Sequence, residues 1–198
     1  MREGVKGMSD NLENICSCKA ETAKSTITVY HGSTFLFDSI DVSKGKPYKD
    51  FGRGFYITKD RNHAGTLALR NKRIEIAKGN KACEAYLYTF DFEISAVNKF
   101  NTKQFKAADM EWIQFVLANR KTREKAHDYD IVIGFTANDD TMTVLNAYLD
   151  GLYGEVGSGE ALNILLRLVK ADKLPEQIYF SCNKATALLN RKGEAETL

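Results

Sequence analysis

The chain has 198 residues, of which 43% are hydrophobic and 27% charged, and it carries a net charge of +2. That balance is ordinary for a globular protein, and the length suits one domain burying about 70% of the surface its unfolded chain exposes. So small a net charge neither demands nor forbids a nucleic-acid partner, and no run reaches the roughly 18 apolar residues of a membrane span. Cys16, Cys18, Cys83 and Cys182 form no dense framework. The one close pair, Cys16 and Cys18, has no histidine nearby, so neither disulfides nor a metal site is expected. The polar N-terminus lacks the apolar core of a signal peptide. A cytoplasmic location is therefore expected, with secretion by a dedicated system left open and no membrane partner.

Residues 1–24 are rich in Ser, Asn, Glu and Lys without a period and read as a poorly ordered tail, leaving 25–198 as a single domain. Residues 26–30 are β-branched and predict a first strand that ends at His31. A short connecting element over 35–40 and a Gly- and Lys-containing loop over 45–54 follow. Residues 55–58 predict a short strand, and Asp60 a cap for a helix over 64–78. The aromatic alternation of 84–92 predicts a strand, and a helix follows over 107–120. Residues 129–135 read as a central buried strand. Asn138 caps a helix running to 150, with Asp139 and Asp140 in its first turn. Ser158 caps another helix to 170, Pro175 breaks the pattern, and a strand over 177–180 precedes a last helix over 183–189. Basic clusters at 70–73 and 120–125 adjoin helix ends and read as solvated turns. This order predicts an α+β fold. The absence of a G-x-G-x-x-G opening a helix after a strand argues against a doubly wound dinucleotide fold.

Two elements carry chemistry. Tyr30-His31-Gly32-Ser33 puts an imidazole and a side-chain-free backbone unit at a strand end. Gly52-Arg53-Gly54-Phe55-Tyr56 brackets an arginine with glycines and then presents a tyrosine. Glycines admit close backbone approach to a flat ligand, and a tyrosine face stacks on a heteroaromatic ring. Together they resemble the nicotinamide pocket of the ADP-ribosyltransferases, in the branch of the poly(ADP-ribose) polymerases and diphtheria toxin, whose triad is His, Tyr and Glu. The resemblance implies a split, strongly bent sheet around an NAD+ cleft. His31 matches the residue that holds a ribose hydroxyl, and Gly32 the backbone clamp on the carboxamide. Ser33 matches a position usually Ser or Thr, Tyr56 the tyrosine that packs on nicotinamide, and Gly54 and Arg53 flank it. Arg53 is expected to reach a pyrophosphate oxygen or else to face solvent. The further stacking tyrosine of the polymerases is missing, with His63-Ala64-Gly65-Thr66 in its region, which points away from polymer synthesis.

The third triad position has two registers. Glu176 keeps the carboxylate, whereas Gln177 replaces it with an amide. Strand alternation groups Glu176 with Ile178 and Phe180, and Gln177 with Tyr179 and Ser181. An ionised Glu on a core face is costly, so Gln177 is favoured as the site residue. Cleavage of the nicotinamide–ribose bond develops positive charge at the anomeric carbon, which a carboxylate stabilises and an amide does not. Restoring the acid by Gln177→Glu is therefore expected to raise NAD+ cleavage. Failing that, Glu111 is the candidate for a relocated acid. It lies outside the apolar arc of its helix, which spans roughly 220°, and is expected in the cleft beside the ribose.

Most of residues 27–190 is also similar to a smaller bacterial branch of the superfamily, known only as a domain of unknown function. Asp50-Phe51-Gly52, Glu111-Trp112, Tyr129-Asp130-Ile131, Asn138-Asp139-Asp140 and Gln177 belong to that likeness. The resemblance implies an NAD+-dependent transferase that moves ADP-ribose to a macromolecular acceptor, protein or nucleic acid, in a toxin- or effector-like role. It implies equally a non-catalytic module that binds NAD+ or ADP-ribose and reports it to a partner.

Overall fold

A computed structural model of the protein describes residues 25–169 and 174–198. The expected tail over 1–24, and the expected helix end at 170, lie outside the described residues. The fold is α+β, as the order of elements predicts. One antiparallel sheet runs β1 (Thr26–Ser33), β3 (Tyr86–Glu93), β7 (Leu189–Arg191), with β8 (Glu196–Thr197) also on β3. The second runs β2 (Phe55–Ile57), β6 (Glu176–Phe180), β5 (Ile131–Phe135), β4 (Thr102–Gln104), and only its β4–β5 pair is parallel. Among the described residues a single bridge joins the sheets. Tyr30 donates to the Thr58 carbonyl at 2.8 Å and accepts from the Thr58 amide at 3.0 Å.

Alternation along the strands builds two cores. Ile131 and Ile133 of β5, with Ile178 and Phe180 of β6, pack against Val29, Phe90 and Phe92 of the first sheet. Val132 and Tyr179 point the other way, onto Phe51 and the helical layer. That layer comprises α2 (Met110–Arg120), α3 (Asp139–Leu149) and α4 (Gly159–Val169). Trp112, Ile113, Leu145 and Leu165 are fully buried within it. Gln177 shares the Tyr179 side of β6, the side on which the cleft opens.

Helix starts follow their capping side chains. Asp60 accepts from the His63 amide, so α1 (Arg61–Ala77) begins three residues ahead of the sequence expectation. Asp109 accepts from the Trp112 amide and delays α2 to Met110. Asn138 caps α3 through the Thr141 amide, as expected, and Ser158 accepts from the Ala161 amide at the start of α4. The expected last helix is only α5 (Asn183–Thr186), because Leu189 pairs with Phe92 in β7 instead. Among the described residues no helix is long and apolar enough to cross a membrane.

Helix α1 lies over the end of β1, with Ala64 and Ala68 as its buried residues. Gly32 sets that distance. A Cβ there would stand 2.1 Å from the Ala64 carbonyl oxygen, so any side chain would push the helix outward.

Candidate functional site

The bridge between the sheets, α1, and the loop ahead of β2 enclose a cleft of about 470 Å³. His31 arrives on it from β1, Tyr56 from β2 and Gln177 from β6, three positions far apart in sequence. Gly32, Ser33 and Gly54 line it as well.

Backbone direction decides what Gly32 offers. Tyr30 spends its N–H and C=O on Thr58, away from β3. Because strand direction alternates with a period of two, Gly32 turns its own N–H and C=O to the same edge. No strand pairs with it there. A donor and an acceptor thus stand side by side in the cleft wall.

His31 is held as one neutral tautomer. Its Nδ1 lies 2.6 Å from the Tyr56 carbonyl oxygen, which can only accept, so Nδ1 carries the proton and Nε2 is left as an acceptor. The ring stacks on Phe55 at 4.3 Å and meets Phe37 edge-on. Desolvation by these neighbours lowers its pKa to about 4, against a smaller upward pull from the Tyr56 hydrogen bond. Tyr56 presents its ring and not its hydroxyl. The hydroxyl donates to the Gly52 carbonyl at 2.6 Å and accepts from the Phe51 amide at 3.1 Å. Desolvation first, and the charge of Asp50 second, push that phenol well above its ordinary range.

Beneath Gln177 lies a polar floor. Asp50 is 4% exposed and accepts from Arg120 Nε at 2.7 Å, the Ala137 amide at 2.9 Å and Gln177 Nε2 at 2.9 Å. A second Arg120 nitrogen stands 2.5 Å from the same carboxylate. Gln177 Nε2 also donates to the Phe135 carbonyl at 3.0 Å. Both amide hydrogens are therefore used, and the Gln177 carbonyl oxygen has no partner among the described residues. Close by, the Thr136 hydroxyl is buried in the cleft wall without a partner among the described residues. At the mouth, Arg70 of α1 pairs with Asp139 of α3 at 2.5 Å. Lys46 and Lys49 line the rim without an ion-pair partner among the described residues, and desolvation lowers the Lys49 pKa.

Three candidate site residues lie outside the cleft. Glu111 is exposed on the outer turn of α2, paired with Lys103 and not among the cleft-lining residues. Its helix turns the face carrying Trp112, Ile113 and Val116 to the core, which leaves Glu111 to solvent. Glu176 points away from Gln177 and pairs with Lys59 at 2.8 Å, as alternation on a strand requires. Arg53 is turned outward, its Nε donating to the Gly45 carbonyl at 3.0 Å and its guanidinium pairing with Glu124 at 3.2 Å. Its flanking glycines have packing reasons. A Cβ at Gly54 would stand 2.3 Å from the Tyr179 ring, and Gly52 has φ +92°. Ser33 Oγ accepts from the Phe35 amide at 3.0 Å, a local turn contact. Asp50 and Arg120 were not expected in the site. The signal for Asp50 was an acid directly before Phe51 in an otherwise basic loop; Arg120 looked like one cation of a solvated helix end.

A family model described as "Protein of unknown function (DUF3990)" matches residues 27–190. The chain belongs to this family. The matched span runs from β1 into β7 and includes every cleft residue named above. No curated protein and no solved structure matches the chain. The family assignment therefore fixes kinship without assigning a reaction, and in this DUF3990 member the chemistry of the cleft has to speak for itself.

Proposed function

We propose that the cleft binds NAD+ and that the protein transfers ADP-ribose to a macromolecular acceptor with release of nicotinamide. The observation that carries this reading is the free edge of Gly32. An adjacent N–H and C=O complement a primary carboxamide, which offers one acceptor and two donors. The Tyr56 ring stands in the same cleft and suits stacking on the pyridine. His31 Nε2 and the Gln177 carbonyl oxygen are acceptors for ribose hydroxyls, and the Thr136 hydroxyl is a further unused group. Lys46 and Lys49 suit a pyrophosphate.

In the transfer, the bond between the nicotinamide nitrogen and ribose C1′ breaks and its electron pair leaves with nicotinamide, which departs neutral. A lone pair of the acceptor forms the new bond to C1′, and the acceptor's proton passes to solvent. The cleft contributes position and acceptors for the hydroxyls. One observation favours the second reading, a module that binds NAD+ or ADP-ribose without turning it over. Glu111 and Glu176 lie outside the cleft, and the Asp50 carboxylate is already saturated by its donors.

Incubation with labelled NAD+ and cell lysate separates the two. Transfer releases nicotinamide and leaves label on macromolecules. Binding alone raises the melting temperature through ligand linkage without release. No thermal shift at millimolar NAD+ defeats both.

A further inference from the structure

We propose that Asp50 is a positioning residue that acts through Gln177, fixing the direction of its amide and strengthening its carbonyl oxygen as an acceptor. The idea rests on the NAD+ reading for what the oxygen holds, a ribose hydroxyl, but its geometry does not. Gln177 Nε2 faces two groups that only accept, the Asp50 carboxylate at 2.9 Å and the Phe135 carbonyl at 3.0 Å. The amide orientation is therefore forced, and the oxygen must turn to the cleft.

An amide whose N–H donates to a carboxylate shifts electron density toward its own oxygen, since hydrogen bonds in a chain polarise one another. Asp50 is held for this by Arg120 and by the Ala137 amide. Arg120 in turn donates to the Ala137 carbonyl at 2.9 Å, so the carboxylate cannot swing. Negative charge thereby reaches the cleft wall through a neutral side chain.

This arrangement reverses the expectation for Gln177→Glu. A carboxylate at 177 would set two acceptors about as far apart as Nε2 and Asp50 Oδ2 are now, 2.9 Å, with the Phe135 carbonyl as a third. Two carboxylates at that separation share a proton. The groups facing position 177 are Asp50 and, behind it, Arg120, whose charge Asp50 already occupies. Elsewhere the cleft presents His31, Lys46, Lys49, Tyr56, His63 and the Arg70–Asp139 pair. The introduced side chain should then exist as the neutral acid near neutral pH and bring no new charge.

The test compares Q177E, D50N and D50N/Q177E. In ligand-free Q177E, the introduced carboxyl, followed by carbon NMR of glutamate-labelled protein, should titrate near neutrality, roughly two and a half pH units or more above an ordinary glutamate. In D50N/Q177E it should fall back toward the ordinary range. NAD+ cleavage by Q177E should be at least tenfold below wild type at pH 6 and recover as pH rises. D50N should lose cleavage about tenfold while the thermal shift with nicotinamide alone persists, because Gly32 and Tyr56 are untouched. Should D50N fail to fold, the Q177E titration and pH profile carry the test alone. An ordinary titration of the new carboxyl in Q177E, or cleavage above wild type at pH 6, overturns the role given to Asp50. If wild type neither binds nor cleaves NAD+, the ligand reading falls, and the Q177E titration still decides whether Asp50 governs position 177.

Discussion

The two ends of the cleft floor are built on opposite principles. Under His31 lie Phe37, Phe55 and Tyr88, with ring centroids between 4.3 and 6.3 Å away. Under Gln177 lie Asp50 and Arg120, an ion pair whose remaining hydrogen bonds are filled by backbone groups and by Gln177 itself. The aromatic end makes an acceptor by removing water, since desolvation keeps the imidazole neutral. The ionic end makes one by supplying charge at one remove. The first is cheap to alter because apolar packing is graded. The second is not, because removing the buried Asp50 carboxylate strips Arg120, the Ala137 amide and Gln177 of their shared acceptor.

The largest expected effect follows directly. Asp50→Ala should cost about 2 to 4 kcal/mol of stability, less than for a fully buried pair because the Arg120 side chain left behind is 29% exposed. At roughly 2 to 4 °C per kcal/mol for a chain of this size, thermal denaturation should show a drop of about 4 to 16 °C. His31→Ala should cost less. A smaller drop for Asp50→Ala than for His31→Ala would erase the contrast between the two floors.

His31 gives the second prediction, in pH. The folded ring stays neutral down to about pH 4, whereas in the unfolded chain it protonates near 6.5. Its folded pKa is depressed, so the unfolded state binds the extra proton between those values. Stability from this group is complete above pH 6.5 and falls as pH drops toward 4, by up to about 1.4 kcal/mol per pH unit. Below pH 4 the fall stops. His31→Leu should flatten the stability profile in that window, measured by urea denaturation at stepped pH. A profile as steep as wild type would mean that the aromatic floor does not hold the ring neutral.

The same contrast marks what was legible in the sequence. The His31 end could be read, because β-branched and aromatic residues in strands announce where they pack, and His31 closes such a run. Gln177 was legible for a similar reason: alternation separates it from Glu176, and the pairing of β5 with β6 keeps that register. Asp50 and Arg120 lie 70 positions apart, in a loop and at a helix end, where no period reports burial. Their contact depends on how β2, α2 and the chain after β5 converge. The short strands β4, β7 and β8 were missed because two or three residues carry no measurable alternation. Glu111 misled for the opposite reason. Its local setting suggested a site, and tertiary packing turned it outward, whereas Arg53 takes the outward-facing alternative left open for it.

Glu111 supplies the smallest expected effect. It stands in the first turn of α2, where a carboxylate is favoured by the helix N-terminus, and it pairs with Lys103 at the surface. Exposed pairs contribute about 0 to 1 kcal/mol, and a first-turn acid a few tenths more. Glu111→Gln keeps the shape of the side chain and the cap at Asp109. It should therefore lower stability by no more than about 1.5 kcal/mol. NAD+ binding and cleavage should stay within twofold of wild type, because neither partner of the pair lines the cleft. The measurement is a thermal scan beside a nicotinamide-release assay. A tenfold loss of release with an unchanged melting temperature would return Glu111 to the chemistry. It would also require α2 to move in solution so that its outer face reaches the ribose, and the two-floored cleft would then be only half of the site.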